Sequence, residues 1–115
     1  MSHDPNCIFC KIVAGAIPSK KVYEDEDIFA FHDIHPWAPV HILIIPKRHI
    51  TSMVDVTPDD QALMGKMLAI SPKLMLDLGV INGYRHVINT GRDGLQEVQH
   101  MHLHVMGGPR PWLKG

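Results

Sequence analysis

Cysteine is scarce in this 115-residue chain. There are two, Cys7 and Cys10, too few and too close together for a disulfide framework, which fits a reducing compartment. Charge of one sign is lacking as well. Eleven Lys and Arg stand against 12 Asp and Glu, a formal net charge of -1, so no basic field speaks for a nucleic-acid partner. No apolar run approaches the ~20 residues that a membrane helix needs, so no membrane association is expected. The opening Met1-Ser2-His3-Asp4-Pro5 has no basic region followed by an apolar stretch, so no secretion signal is expected and the chain reads as cytoplasmic. Repeats, low-complexity tracts and linkers are missing too, and residues 1–115 are expected to form a single domain around one modest core. What the chain has in excess is histidine, nine in so short a length.

Periodicity and punctuation predict an α+β domain. Ile8 to Val13 suits a short amphipathic helix, stopped by Gly15 and Pro18. Lys20 to Glu24 and Asp27 to Asp33 read as strands of a hairpin with an acidic turn. The two prolines of His35-Pro36-Trp37-Ala38-Pro39 force a loop, and the β-branched run Val40 to Pro46 reads as a buried strand. Thr57-Pro58-Asp59-Asp60 is a helix start, with a capping residue, a proline at the first helical position and acids at the positive end of the dipole. The apolar positions from Leu63 to Leu78 follow at helical spacing, Pro72 is expected to kink the helix near Leu68, and Gly79 is a stop. Tyr84 to Asn89 and His100 to Met106 read as the last strands, giving an antiparallel sheet of about five strands with one long helix and a short N-terminal one.

His100-Met101-His102-Leu103-His104-Val105-Met106 alternates without a fault. In an extended chain the three imidazoles project to one side, and Met101, Leu103 and Val105 to the other, toward a core. Imidazole titrates near neutrality, so such a row can attack, relay protons or hold a metal, and spacing alone leaves a three-histidine metal site open. Cys7-Ile8-Phe9-Cys10 is a Cys-x-x-Cys pair, a common half of a zinc site whose other two ligands must come from elsewhere in the chain. A redox reading of this pair is weaker, because no thioredoxin-like βαβ pattern surrounds it.

The histidine segment resembles the signature of the histidine triad (HIT) superfamily, His-φ-His-φ-His-φ-φ with φ apolar. Phe31-His32-Asp33-Ile34, His41 with Ile44-Ile45-Pro46-Lys47-Arg48-His49, Asn89-Thr90-Gly91 and Gly107-Gly108 resemble its HINT-like branch, the histidine triad nucleotide-binding proteins. That resemblance implies a HIT-like fold and hydrolysis of a purine nucleoside phosphoramidate to an amine and a nucleoside monophosphate such as AMP or GMP. By it, His102 is the nucleophile on the α-phosphorus, His104 contacts the phosphate oxygens, and His100 and His41 orient the site and relay protons. Asp33 matches the ribose-binding carboxylate. Ile8, Phe9, Ile12, Phe31 and Ile34 match the slot for the base, where core packing is expected to be the larger share of their work, and His32 lies beside them. Asn89, Gly94, Gln96, Glu97 and Val98 fall in the phosphate-side loop. Trp112 matches, within about one position, a residue that reaches the active site of a partner subunit, so the resemblance also implies a homodimer. For the cysteine pair it implies a structural zinc completed by His49 and His100. The chain departs from the family at Leu95, where a second glycine is usual, at Glu97, where some members have serine, and at Gln99, where many have tyrosine. Two other readings stay open: a dinucleoside polyphosphate hydrolase of another HIT branch, and a nucleotide-binding module with incidental turnover.

Overall fold

The computed structural model describes residues 3–114. The chain folds as a short helix α1 (Ile8–Val13), strands β1 (Lys21–Glu24), β2 (Ile28–His32) and β3 (Val40–Pro46), a long helix α2 (Gln61–Asp77), and strands β4 (Tyr84–Val87) and β5 (Leu103–Gly107). The strands form one sheet in the order β1-β2-β3-β5-β4, with every neighbour antiparallel.

Strand alternation divides the interior in two. Ile28 and Ala30 of β2, Ile42 and Ile44 of β3, and Leu103 and Val105 of β5 pack with Met67, Leu74 and Met75 of α2. Phe29 and Phe31 of β2 and Leu43 and Ile45 of β3, one residue out of step, pack with Cys7, Phe9, Cys10 and Ile12 at α1. The sheet is therefore covered on both faces, which is why Ile42 to Ile45 of the central β3 are apolar without alternation. Burying each of its isoleucines stabilises the fold by roughly 2–3 kcal/mol. His104 on β5 and His41 on β3 alternate with residues of the α2 face, so they lie on the α1 face.

Two expected boundaries move. β5 begins at Leu103, not at His100, because the residues before it bond outside the ladder: Met101 N–H donates to Ile50 O at 2.7 Å, and β3 pairs no further than Leu103. The turn at Pro58–Asp60 is a 3₁₀ segment leading into α2, braced by Thr57 N–H donating to the Asp60 carboxylate at 3.0 Å. Helix α2 carries Pro72 in its interior and continues to Asp77. The missing N–H of Pro72 would leave the Leu68 carbonyl without its helical donor; the Ser71 hydroxyl donates to that carbonyl at 2.7 Å. Gly79, at φ +83°, ends the helix.

Candidate active site

Four histidines are buried on the α1 face: His41, His100, His102 and His104. Their hydrogen bonds fix which nitrogen carries each proton. His102 Nδ1 lies 2.8 Å from the carbonyl of His100, an acceptor, so Nδ1 holds the proton and Nε2 keeps a free lone pair. Trp37 N–H donates to His41 Nδ1 at 3.0 Å, so Nδ1 of His41 carries no proton in the neutral ring and Nε2 does. His41 Nε2 then donates to His104 Nδ1, 2.9 Å away, with the Asp33 carboxylate 3.5 Å from the same nitrogen. His104 is thereby left with its proton on Nε2. One main-chain amide thus sets two rings, and the outcome is a lone pair on His102 next to a donor on His104, whose ring centroids are 4.9 Å apart.

Burial reinforces the neutral forms. It pushes His104 down to about 4, helped by the neighbouring His102 and His41 and opposed by Asp33. Burial likewise lowers His41 against the pull of Asp33. It lowers His102 against its bond to the His100 carbonyl and the charges of Asp33 and Glu97.

Beside this row sits a second cluster. The ligand atoms of Cys7, Cys10, His49 and His100 all lie within 4.8 Å of one another. His100 Nε2 donates to the Pro46 carbonyl at 2.8 Å, so its Nδ1 lone pair faces the sulfurs, 3.3 Å from Cys7 Sγ and 3.5 Å from Cys10 Sγ. His49 Nδ1 is 3.4 Å from Cys10 Sγ, and its Nε2 is 3.4 Å from the Thr51 hydroxyl. Burial raises the Cys10 thiol, and its proximity to the Cys7 thiol adds to this. Asp33, His41 and His104 also converge, but there the amide of Trp37 forces the proton onto His41 Nε2, which leaves that nitrogen no lone pair for a metal.

The loop ahead of the histidines is built tightly. A side chain at Gly94 would bring its Cβ within 2.3 Å of the Thr90 carbonyl oxygen, so only glycine fits. Gln96 N–H donates to Gly91 O at 3.0 Å. The buried Gln96 side chain accepts from Gly91 N–H at 2.9 Å and donates to Thr51 O at 2.7 Å and Val98 O at 2.9 Å. Its donors are spent on the loop, so it acts as a brace. Leu95 is held at φ +61°, where glycine is at ease, and is 77% exposed.

The remaining sequence-predicted positions divide. Phe9, Ile12 and Phe31 are buried, and Phe9 packs edge-on against His102 at 5.2 Å. Core packing does not extend to Ile8 and Ile34, which are 48% and 84% exposed. Ile8 is the first residue of α1 while Phe9, Cys10 and Ile12 are the ones turned inward, and Ile34 lies in the bend after β2 has ended. His32, Asp33, Asn89 and Val98 are half-buried, and Glu97 is exposed. Trp112 makes its contacts with Gly108, to whose carbonyl Nε1 donates at 3.0 Å, and with Arg110, 3.6 Å over the ring. The groove it lines, with Val80, Ile81, Tyr84 and Arg85, contains none of the site's histidines. Sequence patterns give no sign of Trp37, whose amide meets the His41 ring, or of the bracing work of Gln96. Neither carries a local signal, since both act through bonds across the fold.

Comparison with known proteins bears on the same region. A family model described as the HIT domain matches residues 14–110, beginning after the cysteine pair. Protein HitA of Neisseria gonorrhoeae is 48% identical over 104 residues, 90% of this chain and 97% of that protein. A HIT family hydrolase from Legionella pneumophila superposes with a TM-score of 0.88 at 49% identity, covering 91% of this chain and 95% of that one. A histidine triad protein from Clostridium difficile gives 0.90 at 40% identity, with 95% and 96% covered.

Proposed function

Because the chain belongs to the HIT domain family, we propose that it is a nucleotide hydrolase of the HINT-like branch that cleaves purine nucleoside phosphoramidates through a nucleotidyl-histidine intermediate on His102. The observation that carries this reading is the free Nε2 lone pair of His102, secured by the bond from Nδ1 to the His100 carbonyl. In the first step Nε2 bonds to the α-phosphorus as the P–N bond to the amine breaks. The amine leaves with that electron pair and takes a proton from solvent. Water then attacks phosphorus, the bond to His102 breaks, a proton returns to solvent and the nucleoside monophosphate departs. His104 Nε2–H supports the developing charge on the phosphate oxygens. Asp33, with one oxygen engaged by His35 N–H at 2.8 Å, accepts from the ribose hydroxyls through its remaining capacity. Bases are held against the exposed apolar surface of Ile8 and Ile34. The phosphate side is shaped by the loop containing Asn89 and Gly94.

Cys7, Cys10, His49 and His100 would hold a structural zinc. A tetrahedral zinc with bonds of ~2.3 Å to sulfur and ~2.0–2.1 Å to nitrogen places those atoms about 3.6 Å apart, close to the 3.3–3.5 Å separations here. The Nδ1 lone pair of His100, aimed at both thiols, supports the same reading. Bound there, the metal would tie α1 to the sheet and steady the ring of His100; it takes no part in the displacement. The protein also works as a homodimer, a reading supported by the outer edge of β4, unpaired among the described residues, and by the apolar Leu68 and Leu76 that α2 exposes.

Turnover of a fluorogenic adenosine phosphoramidate, set beside a dinucleoside polyphosphate, tests the activity. The phosphoramidate is expected to be the better substrate. Preference for the polyphosphate would move the chain to another HIT branch, and AMP binding with no turnover of either would make it a binding module. His102→Ala is expected to abolish turnover while AMP still binds. Retention of more than about a tenth of kcat, a barrier rise below ~1.4 kcal/mol, would remove His102 from the nucleophile's role.

A further inference from the structure

Trp37 lies in the loop between β2 and β3, and that loop closes on His41. Asp33 N–H donates to the His41 carbonyl at 2.9 Å, and four residues later Trp37 N–H donates to the His41 ring. The indole of Trp37 is half-buried and does separate work. It stacks on His104 with planes 15° apart and centroids 6.0 Å apart, and meets His41 edge-on at 5.8 Å. The C-terminal segment anchors the same residue. Leu113 N–H donates to the Trp37 carbonyl at 2.8 Å, and the Lys114 ammonium lies 5.1 Å from the centre of the indole. Trp37 therefore touches both rings of the relay while being tied from behind.

We propose, building on the nucleotidyl-transfer reading above, that Trp37 is a positioning residue: its amide and its stacked indole together hold His41 and His104 in the single tautomer that presents His104 Nε2–H to the phosphate. The physical logic is one of exclusion. Imidazole has two neutral tautomers of similar energy, and only one leaves His104 a donor toward the ligand. The amide selects it at His41, the His41–His104 bond passes the choice on, and the indole keeps the His104 ring in the plane where that bond is made. Without the indole the loop loses its contact with His104, the amide drifts from His41 Nδ1, and both tautomers become populated. The loss falls on the charge-stabilising contact, so it is expected in kcat more than in KM.

The test combines ring spectroscopy with kinetics. Long-range 1H–15N correlation spectra of the ring nitrogens in the wild-type protein are expected to show His41 and His104 each protonated on Nε2 and not on Nδ1. Trp37→Leu is expected to lower kcat for the adenosine phosphoramidate roughly tenfold or more with KM changed less than about threefold, and to give His104 a second tautomer. Trp37→Phe, which restores a stacking ring, is expected to recover most of kcat and the single tautomer. Wild-type His41 protonated on Nδ1 overturns the proposal. So does Trp37→Leu with kcat within about twofold of wild type, or with a loss confined to KM and unchanged spectra. If Trp37→Leu does not fold, the wild-type tautomers and the Phe variant decide. A wild-type protein that turns over neither nucleotide substrate yet shows both Nε2 tautomers sinks the hydrolase reading alone, and the ring positioning then stands on the spectra.

Discussion

Leu95 stands in a backbone conformation that costs an L-residue with a Cβ about 1–2 kcal/mol, and its side chain recovers little of this because it is exposed. The two hydrogen bonds around it, Leu95 N–H to Arg92 O at 3.1 Å and Gln96 N–H to Gly91 O at 3.0 Å, hold the turn in that shape. Leu95→Gly is therefore expected to stabilise the protein by roughly 0.5–1 kcal/mol, the relief of strain being partly offset by the greater freedom of glycine in the unfolded chain. A thermal melt should show a midpoint a few degrees higher. A lower midpoint would mean that the side chain holds the loop through packing. The neighbouring position runs the other way: at Gly94 the close approach of the Thr90 backbone leaves no space for a Cβ. Positions 95 and 94 are thus under two different constraints, conformation at one and volume at the other.

At the scale of elements, α2 is instructive because it carries a proline. The Ser71 hydroxyl donates to Leu68 O and lies 2.8 Å from His86 Nε2, from which it accepts, so one buried hydroxyl satisfies the helix and links it to β4. Ser71→Ala takes the added donor from the Leu68 carbonyl, while the exposed His86 turns to water, and is expected to cost about 0.5–1.5 kcal/mol. Pro72→Ala returns an N–H to the Leu68 carbonyl, so the same serine substitution made in that background should cost less. A double-mutant cycle in denaturant measures the difference, and strict additivity would rule out the shared carbonyl. Helix α1 poses the complementary case. It has only six residues, too short to persist alone; Cys7 caps it and Cys10 lies within it, both packed against the sheet. Protein purified without chelator is expected to carry about one zinc per chain, and Cys7→Ser to lose both metal and thermal stability. Less than about a tenth of an equivalent of zinc in wild type, with no loss of stability in the variant, would leave the two cysteines as ordinary packed residues.

At the scale of the whole molecule, one edge of the sheet bears on how many chains make the working unit. The sheet ends at β4, whose outer edge is unpaired among the described residues, and the nearby α2 exposes Leu68 at 49% and Leu76 at 64%. An exposed edge next to an exposed apolar face invites a second copy. Light scattering at micromolar concentration is expected to give twice the mass of the chain. A purely monomeric species would remove the homodimer, and with it the route by which Trp112, which here contacts Gly108 and Arg110, could reach a histidine row in a partner subunit. No helix of the described residues is long and apolar enough to cross a membrane.

Much of this protein is determined by the order of its residues alone. The alternation at His100, His102 and His104 places the rings on one side and Met101, Leu103 and Val105 in the core. The capping sequence at Thr57 starts a helix close to where one begins, and the prolines at 36 and 39 open a loop. These are local matters, set by the 2-residue and 3.6-residue periods of a chain that needs only its neighbours to define them. The tertiary structure decided which nitrogen of each histidine holds the proton. His41 and His104 are 63 positions apart, and Cys7 and His100 are 93 apart. Their meeting depends on strand register and on the helix packed over the sheet. So does the amide of Trp37, whose role is invisible in a sequence because every residue but proline has one. A side chain's identity is written in the chain; its tautomer depends on what the fold sets opposite its ring.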